Sequence, residues 1–345
     1  MFFGVFMSFF EIFLFAFNAI MPIVLLILLG FFLNKIGLFN DGFLQTANKF
    51  VFNCCLPALL FYNVYNIGSL GEIHWGTIGF VLGVLVVIFC IGFVFAKFFI
   101  KDNRQKGVVW QAFYRSNFAI IGLPLAEALG GSEGVAVASI LSAFSIPVFN
   151  ALAVVSLSVY TSSEGGRINF GDILRRISKN PLILGVASGF IALAIRQLVP
   201  VGADGELVFS IQSDLPFLYQ TLGNVAKIAS PLALIVLGGK FRFDAIKALK
   251  KQIIAGTFAR IAFAPAFGIA LALLTDSIGL TAFTSAHYAS FVALFGSPVA
   301  VSSAIMAAQM DNDGQLANQI LVWTSIGSVF TVFVAVVLLR GAGVL

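Results

Sequence analysis

The feature that most constrains this chain is a series of apolar runs, each about 20 residues long, the length that crosses a bilayer as a helix. Hydrophobic residues make up 60% of the 345 residues and charged residues 10%, whereas soluble domains carry about 25% charged residues. A transmembrane β-barrel would instead show segments of about ten residues in which apolar and polar positions alternate. The pattern therefore predicts an all-α polytopic membrane protein.

Ten predicted spans account for the apolar runs. They lie at 12–34, 46–66, 76–99, 108–129, 134–160, 181–199, 216–238, 252–274, 280–308 and 315–339. The connections between them are short, so we expect no soluble domain. The first run has neither a basic leader nor a small-residue cleavage site, and we interpret it as a retained helix and not as a signal peptide.

Charge alternates between successive loops. Basic residues concentrate in the loops after spans 1, 3, 5 and 7, and the opposite loops carry mainly acidic residues. The positive-inside rule predicts that these four loops are cytoplasmic and that both termini are extracytoplasmic. The net charge of +5 is explained by these loops, so it does not indicate a nucleic-acid partner.

Spans 4 and 9 each contain a Gly-x-Pro motif, in the stretches YRSNFAIIGLPLA and YASFVALFGSPVA. Gly122 and Pro124 of the first stretch precede Gly296 and Pro298 of the second by 174 positions. The same offset relates Tyr114 to Tyr288, Ser116 to Ser290, Pro57 to Pro231, and Asp102 to Asp276. These pairs predict an internal repeat of five spans.

Because five is an odd number of crossings, the second copy enters the membrane from the opposite side. The predicted repeats are therefore inverted, an arrangement that recurs in transporters. Repeat 1 covers 1–160 and repeat 2 covers 181–345, and a short cytoplasmic linker at 161–180 joins them. Inverted copies would place the interrupted spans 4 and 9 across each other near the membrane midplane.

The two motifs predict helix breaks, because proline removes an N–H group and clashes with the preceding turn, and glycine permits a sharp turn. Non-helical backbone at membrane depth is tolerated where it is buried or lines a watery cavity. The free N–H groups after each break carry partial positive charge. The candidate substrate-binding residues are Gly122, Pro124, Gly296, Ser297 and Pro298, and a proline kink without a ligand is the alternative.

Basic residues inside the membrane are functional candidates by default, and Arg115, Lys227 and Arg260 lie within predicted spans. The resulting positive interior favours an anionic substrate over a proton relay of paired carboxylates. Arg115, two turns before Gly122, could bind a carboxylate through two parallel hydrogen bonds or extend to the cytoplasmic interface. For Arg260 we expect either such snorkelling or structural pairing.

Lys227 lies near the centre of span 7, and the repeat offset pairs it with Asn53. Lys227 could bind substrate, occupy the place of a coupling cation, or form hydrogen bonds within a scaffold. Asn117 could serve a ligand or a neighbouring helix, since an amide both donates and accepts. The serines after the second break could bind a ligand or their own helix: Ser297, Ser302 and Ser303. Histidine and cysteine spacings match no metal site, so we expect neither metal nor cofactor.

Several stretches resemble the auxin efflux carrier family, specifically its bacterial malate/malonate-permease-like members. They are MPIVLLILLGFFLNKIGLF at 21–39, LPALLFYNV at 56–64, YRSNFAIIGLP at 114–124, NPLILGVASG at 180–189, SPLALIVLGGKF at 230–241 and SPVAVSSAIMAAQMDNDGQLANQI at 297–320. The last stretch is the most specific. The chain lacks the long central loop and the asparagine-proline-asparagine crossover of the plant members.

The resemblance implies ten helices in two inverted five-helix repeats, similar to the bile acid/sodium symporter and sodium/proton antiporter folds. Spans 1, 2, 6 and 7 would form a scaffold that dimerises with a second copy, and spans 3–5 and 8–10 a moving transport unit. The implied activity is carriage of small organic anions, such as mono- or dicarboxylates, across a lipid bilayer that we take to be the bacterial cytoplasmic membrane.

Several functional alternatives stay open from the sequence. The coupling ion could be H⁺ or Na⁺. A sodium-coupled symporter of the bile acid type is the nearest rival, and a membrane sensor that kept the fold without transport is the second. The chain shows no Ser/His/Asp set and no paired carboxylates that would indicate an enzyme.

Overall fold

The computed structural model describes residues 2–66, 75–161, 171, 175, 178–200 and 208–345, and these are predominantly helical. The helices are α1 Phe2–Lys35, α2 Asp41–Phe50, α3 Leu56–Tyr65, α4 Trp75–Phe99, α5 Asn103–Tyr114, α6 Leu123–Val159, α7 Pro181–Leu198, α8 Ile211–Asp214, α9 Pro216–Gly239, α10 Asp244–Ala248, α11 Lys250–Phe258, α12 Ala264–Ser277, α13 Ser285–Gly296, α14 Val301–Gln309 and α15 Gly314–Gly341. Most of the predicted linker at 161–180 lies outside the described residues.

Three short π-helical turns lie within the helical stretches, and each precedes a proline by two residues. The turns are Val51–Cys55, Phe118–Gly122 and Ala259–Phe263, and the prolines are Pro57, Pro124 and Pro265. A proline ring clashes with the carbonyl group four residues earlier, and in all three cases that carbonyl belongs to the π turn. The wider turn accommodates the ring, so the helix continues through the proline.

The break predicted at Gly122-Leu123-Pro124 is therefore wrong. The second π turn runs directly into α6, and the Leu123 N–H donates to the Phe118 carbonyl across their junction. The helical structure is interrupted earlier, at Arg115–Asn117, between the end of α5 and this π turn. We call this segment the first break.

The second Gly-x-Pro motif, Gly296-Ser297-Pro298, coincides with an interruption of the helical structure. α13 ends at Gly296 and helical structure resumes at Val301. The intervening segment, Ser297–Ala300, is the second break. Pro298 is not preceded by a π turn, which is consistent with its position in non-helical backbone.

The bounds of the later helices show how the two halves of the chain correspond. α5 and α13 each have 12 residues, and they begin at 103 and 285, an offset of 182. α6 bends at Gly131, whose φ of 62° favours glycine, and its second arm, 132–159, matches α15 at the same offset. The predicted offset of 174 is wrong for these helices, so the two Gly-x-Pro motifs are not structural equivalents.

Six stretches of the described chain are long and apolar enough to cross a membrane. They are Trp75–Phe99, Phe118–Val159, Pro181–Leu198, Pro216–Gly239, Lys250–Ser277 and Gly314–Gly341. The shorter segment Met21–Lys35 of α1 is also apolar. These stretches fit the predicted polytopic membrane protein, and the count of ten spans stays a prediction.

The helices pack in two groups. In the first group α1 packs along α9, and α3 along α7. In the second group α13 packs along α6 and α12, α4 along α5, and α15 against α13 and α14. Contacts between the groups join α1 to α15 and α9 to α14. α13 is buried from Tyr288 to Gly296, and most of α5 is buried as well. The breaks that follow α5 and α13 are therefore enclosed by protein, as non-helical backbone at membrane depth requires.

Candidate functional site

The two breaks contact each other through their backbones. Ser116 and Val299 form an antiparallel bridge, and the Asn117 N–H donates to the Pro298 carbonyl over 2.8 Å. The Val299 N–H donates to the Thr324 hydroxyl over 3.3 Å. Backbone groups that the breaks remove from helices are thus paired inside the protein, where an unpaired group is costly.

Helical structure resumes immediately after each break, at Phe118 and at Val301. The first N–H groups of a helix have no partner within it and carry partial positive charge. Both first turns line one cavity, through Phe118, Ala119 and Ile120 after the first break and Val301 and Ser302 after the second. The backbone alone therefore gives this cavity a positive character.

The cavity has a volume of about 70 Å³, enough for a few water molecules, at roughly 10–15 Å³ each, or for one small polar group. α3 and α9 of the first helix group provide the facing walls, so the cavity lies between the two groups. Among the described lining residues the charged one is Arg115. The polar lining is completed by Asn63, Ser116, Asn117, Asn150, Ser230 and Ser302.

Arg115 is 1% exposed and lies in extended backbone after α5, not on a helix face as the sequence predicted. Its Nη1 donates to Gln111 Oε1 over 2.9 Å and to Met306 Sδ over 2.8 Å. Its Nη2 donates to Asn150 Oδ1 and to Ser302 Oγ, both over 2.8 Å. All four acceptors are neutral. The described residues therefore position the guanidinium group without neutralising its charge.

Each of the three residues of the first break has a buried polar atom without a hydrogen-bond partner. These atoms are Arg115 Nε, Ser116 Oγ and Asn117 Nδ2, and all three residues line the cavity. A buried polar group without a partner costs about 1–3 kcal/mol. A ligand that accepts hydrogen bonds and carries negative charge would satisfy these donors, so the geometry favours an anion.

Arg260 is a second buried arginine, also 1% exposed, and it lies in the third π turn. Its Nη2 donates to the carbonyl groups of Leu294 and Phe295 in the last turn of α13. Carbonyl groups at a helix end lack helical partners and carry partial negative charge, so Arg260 stabilises the end of α13. These contacts agree with the expected structural pairing, and the burial excludes snorkelling. Arg260 does not line the cavity.

The Gly-x-Pro residues do not line the cavity, contrary to the prediction. At Gly122 the second π turn approaches α13 so closely that a Cβ atom would lie 3.1 Å from the Ala293 carbonyl oxygen. Pro124 is exposed. Ser297 Oγ donates to the carbonyl of its own helix at Ala293 over 2.6 Å. Pro298 contributes its backbone carbonyl, which accepts the hydrogen bond from the Asn117 N–H. Its ring carries no polar atom.

Lys227 and Asn53 also lie away from the cavity. Both are exposed, and Asn53 Nδ2 donates to the carbonyl of Lys49, one turn earlier, over 2.9 Å. The residues of α9 that line the cavity are Ala229, Ser230 and Ala233, and Lys227 is not among them. Lys227 was assigned to the site because it lies near the centre of its span, and Asn53 because the offset of 174 pairs it with Lys227. Neither property determines which face of its helix a side chain occupies.

Several site residues were missed from the sequence. Gln111 and Asn150 accept hydrogen bonds from Arg115, and Asn63 lines the cavity from α3. All three are amides inside apolar stretches, where polar side chains usually bond between helices. That placement was a usable signal for Asn63 and Asn150. Met306 gave none, because methionine is ordinary in an apolar helix.

Comparisons with known proteins bear on the same region. The sequence profile of the family described as "Membrane transport protein" matches residues 15–161 and 167–336. A protein of Methanothermobacter thermautotrophicus named "Uncharacterized transporter" is 23% identical to this chain over 334 residues, which cover 91% of this chain and 95% of the relative. Both matches include the two breaks and all the residues that line the cavity.

Proposed function

This chain belongs to the membrane transport protein family, that of the auxin efflux carriers, and from that premise we propose that it is a secondary active transporter of small organic anions. The observation that carries the proposal is Arg115, a buried cation at the cavity whose hydrogen-bond partners are all neutral. The substrates we propose are carboxylates, because a carboxylate supplies the charge and the acceptors that the first break lacks.

Binding would combine three kinds of donor. A carboxylate oxygen would accept from Arg115 Nε and Asn117 Nδ2, which have no partners in the described chain. Hydrogen bonds between ionised groups are roughly twice as strong as neutral ones. The N–H groups at the starts of the two helices, which carry partial positive charge, add an attraction for anions that needs no charged side chain.

The position of the cavity supports alternating access as the mechanism. Its walls come from both helix groups, so a movement of one group against the other would change the side from which the anion is reached. We propose that the second group moves and that the two breaks belong to helices that cross within inverted repeats. The offset of 182 between matching helix bounds supports the repeat. We also propose a homodimer in a bacterial cytoplasmic membrane.

The lining favours anion binding over a sodium site. The described residues that line the cavity include no carboxylate, and a cation there would face the Arg115 charge. The lining therefore supports a sodium-coupled symporter less well than an anion carrier without a sodium site here. Whether H⁺ or Na⁺ drives transport is a matter for the experiment below.

Transport by the purified protein in proteoliposomes tests the proposal. Vesicles would be loaded with one carboxylate, and uptake of a radiolabelled carboxylate would be followed by counterflow under imposed pH and Na⁺ gradients. We expect saturable exchange in vesicles with protein and none in protein-free vesicles. Failure of a broad panel of mono- and dicarboxylates to exchange under any gradient would contradict the proposal.

A further inference from the structure

A separate cavity lies away from the breaks, between the start of α7 and the end of α14. Its volume is about 610 Å³, within the range of about 300–1,000 Å³ that is typical of ligand sites. It shares no described lining residue with the cavity at the breaks. Three of its lining side chains, Arg175, Lys179 and Asp311, are exposed, so it opens at the surface. We call it the surface cavity.

The surface cavity lies at the level expected for lipid headgroups. α7, which starts at the cavity with Pro181, is long and apolar enough to cross a membrane. α14 has 9 residues, a length of about 13 Å or close to half of a hydrocarbon core, and it follows the second break, which the sequence predicts near the midplane. Asn180 Nδ2 donates to Met310 Sδ over 3.7 Å, so the start of α7 and the end of α14 lie at one level. The basic loop before α7 predicts that this level is the cytoplasmic surface.

The charged side chains of the surface cavity lie on two sides of it. Arg175 and Lys179 are one helical turn apart, since the Lys179 N–H donates to the Arg175 carbonyl over 3.2 Å. Asp311 comes from the other helix group, after the end of α14. Within the described residues no ion pair of 4.0 Å or less joins Asp311 to either cation. The described walls therefore hold two cations and a carboxylate apart, with space between them.

A phosphodiester that carries a primary ammonium group matches this arrangement. Arginine and lysine are the usual partners of phosphate, and Gln309, which also lines the cavity, has an amide that can donate. A primary ammonium has three N–H donors, which suit the Asp311 carboxylate. A simple anion would face repulsion from that carboxylate. The ligand that satisfies both sides is therefore zwitterionic.

Apolar side chains continue from the surface cavity along one face of α7. Leu184, Ile191 and Ile195 are 54%, 63% and 59% exposed, and their spacings of seven and four residues place them on the same face. Exposed apolar side chains on a membrane-spanning helix give acyl chains a surface to contact. The ligand chemistry and this face together favour a lipid over a free headgroup.

We propose that the surface cavity binds the headgroup of a phospholipid with a primary amine, such as phosphatidylethanolamine. The phosphate lies at Arg175 and Lys179, the ammonium at Asp311, and the acyl chains along α7. This site is additional to the anion site proposed at Arg115. Because its walls come from both helix groups, a bound headgroup links the two groups at this end of the molecule.

Phosphatidylethanolamine and phosphatidylcholine with the same acyl chains form a matched pair of probes. Their net charges are equal, and three methyl groups of one replace the three ammonium hydrogens of the other. We expect the purified full-length protein in detergent to bind phosphatidylethanolamine about fivefold more tightly, the upper end for an exposed ion pair. Native mass spectrometry of lipid titrations measures both affinities. Equal affinities, or tighter binding of phosphatidylcholine, overturn the proposal.

Variants of the two sides test the placement of the headgroup. Asp311→Asn should abolish the preference for phosphatidylethanolamine, and asparagine tolerates the φ of 59° at this position as aspartate does. Arg175→Gln combined with Lys179→Gln should weaken binding of both lipids by about tenfold or more. The control is Lys247→Gln combined with Lys251→Gln, which changes the charge equally outside the cavity lining and should alter affinity by less than about twofold. Equal losses in the two double variants overturn the site.

The source of the headgroup is tested with glycerophosphoethanolamine, which has the same headgroup and no acyl chains. We expect it to bind at least about 100-fold more weakly than the lipid, because it lacks the apolar contact, and equal affinity overturns the lipid assignment. Thermal unfolding shows whether each variant is folded, and if one is not, the two lipids on the unaltered protein decide. Carboxylate counterflow is a separate readout, so a failure of the proposed function leaves the result at this site distinguishable.

Discussion

The two breaks follow helices of equal length, yet their chemistry is opposite. At the first break, Arg115, Ser116 and Asn117 keep buried polar atoms unpaired beside the cavity. At the second break, the Ser297 hydroxyl bonds to its own helix and the Val299 N–H to Thr324. The backbone correspondence therefore does not extend to the side chains. The first break leaves side-chain polar atoms without partners, whereas at the second break Ser297 and Val299 are paired within the fold.

The two buried arginines show the same contrast. Arg115 and Arg260 are equally buried, at 1% exposure each. Arg260 donates to main-chain carbonyl groups at the end of α13, whereas Arg115 is held by neutral side chains at the cavity. Burial alone thus does not show which of the two arginines lies at the cavity. The nature and position of the partners do.

The largest expected effect is on anion binding by Arg115→Ala. Loss of one member of a buried charge pair typically costs enough to weaken binding by about 100-fold or more. Arg115→Lys keeps the charge but not the planar set of donors, so we expect an intermediate loss of about tenfold. Calorimetric titration with butyrate measures both. Equal affinities in the wild type and Arg115→Ala would remove Arg115 from the site.

Arg260→Ala should act on stability and not on binding. The substitution leaves carbonyl groups of α13 without a donor and opens a cavity, which together should cost about 2–4 kcal/mol. We expect a lower thermal unfolding midpoint, and in the protein that stays folded an affinity for butyrate within about threefold of wild type, as for distant sites. An unchanged midpoint with a large loss of affinity would reverse the roles assigned to the two arginines.

Alanine substitutions at the two breaks sharpen the comparison further. Asn117→Ala removes an unpaired donor at the cavity, and a hydrogen bond to a charged group is worth enough to weaken binding by about tenfold. Ser297→Ala removes a hydroxyl bonded to its own helix and should leave the affinity for butyrate unchanged. Titrations of the two variants side by side test the asymmetry, and equal losses would contradict it.

The smallest expected effect is that of Lys227→Met. Lys227 is exposed and lies outside the cavity lining, so the substitution should change the affinity for butyrate by less than about twofold, as expected for residues without shared partners. Butyrate counterflow in proteoliposomes gives a second readout. A loss of binding as large as that of Arg115→Ala would mean that Lys227 reaches the anion in another conformation.

The sequence was a good guide to the membrane class, because long apolar runs can be buried only in lipid or in other helices. It also singled out Arg115 and Asn117, which line the cavity, since polar side chains at membrane depth are rare enough to stand out. The position of the first break could not be read from its proline. Proline disrupts a regular α-helix, but a π turn before Pro124 accommodates the ring.

The assigned residues that lie outside the cavity lining share one physical cause. The offset of 174 came from identical residues at Gly122 and Gly296, whereas the helix bounds correspond at 182. Which face a side chain occupies depends on packing between distant helices, and one sequence does not specify that packing. Lys227 and Asn53 were assigned to the site for this reason, and Asn150, from α6, was missed.

A structure of the protein with a bromine-labelled carboxylate, such as 4-bromobutyrate, tests the central claim most directly, because the anomalous signal of bromine locates the ligand independently of the protein density. We predict the bromine at the cavity between the two breaks, and the carboxylate within hydrogen-bond distance of Arg115 Nε and Asn117 Nδ2. A ligand bound at the second break beside Arg260, or near Lys227, with the first break empty would contradict the account.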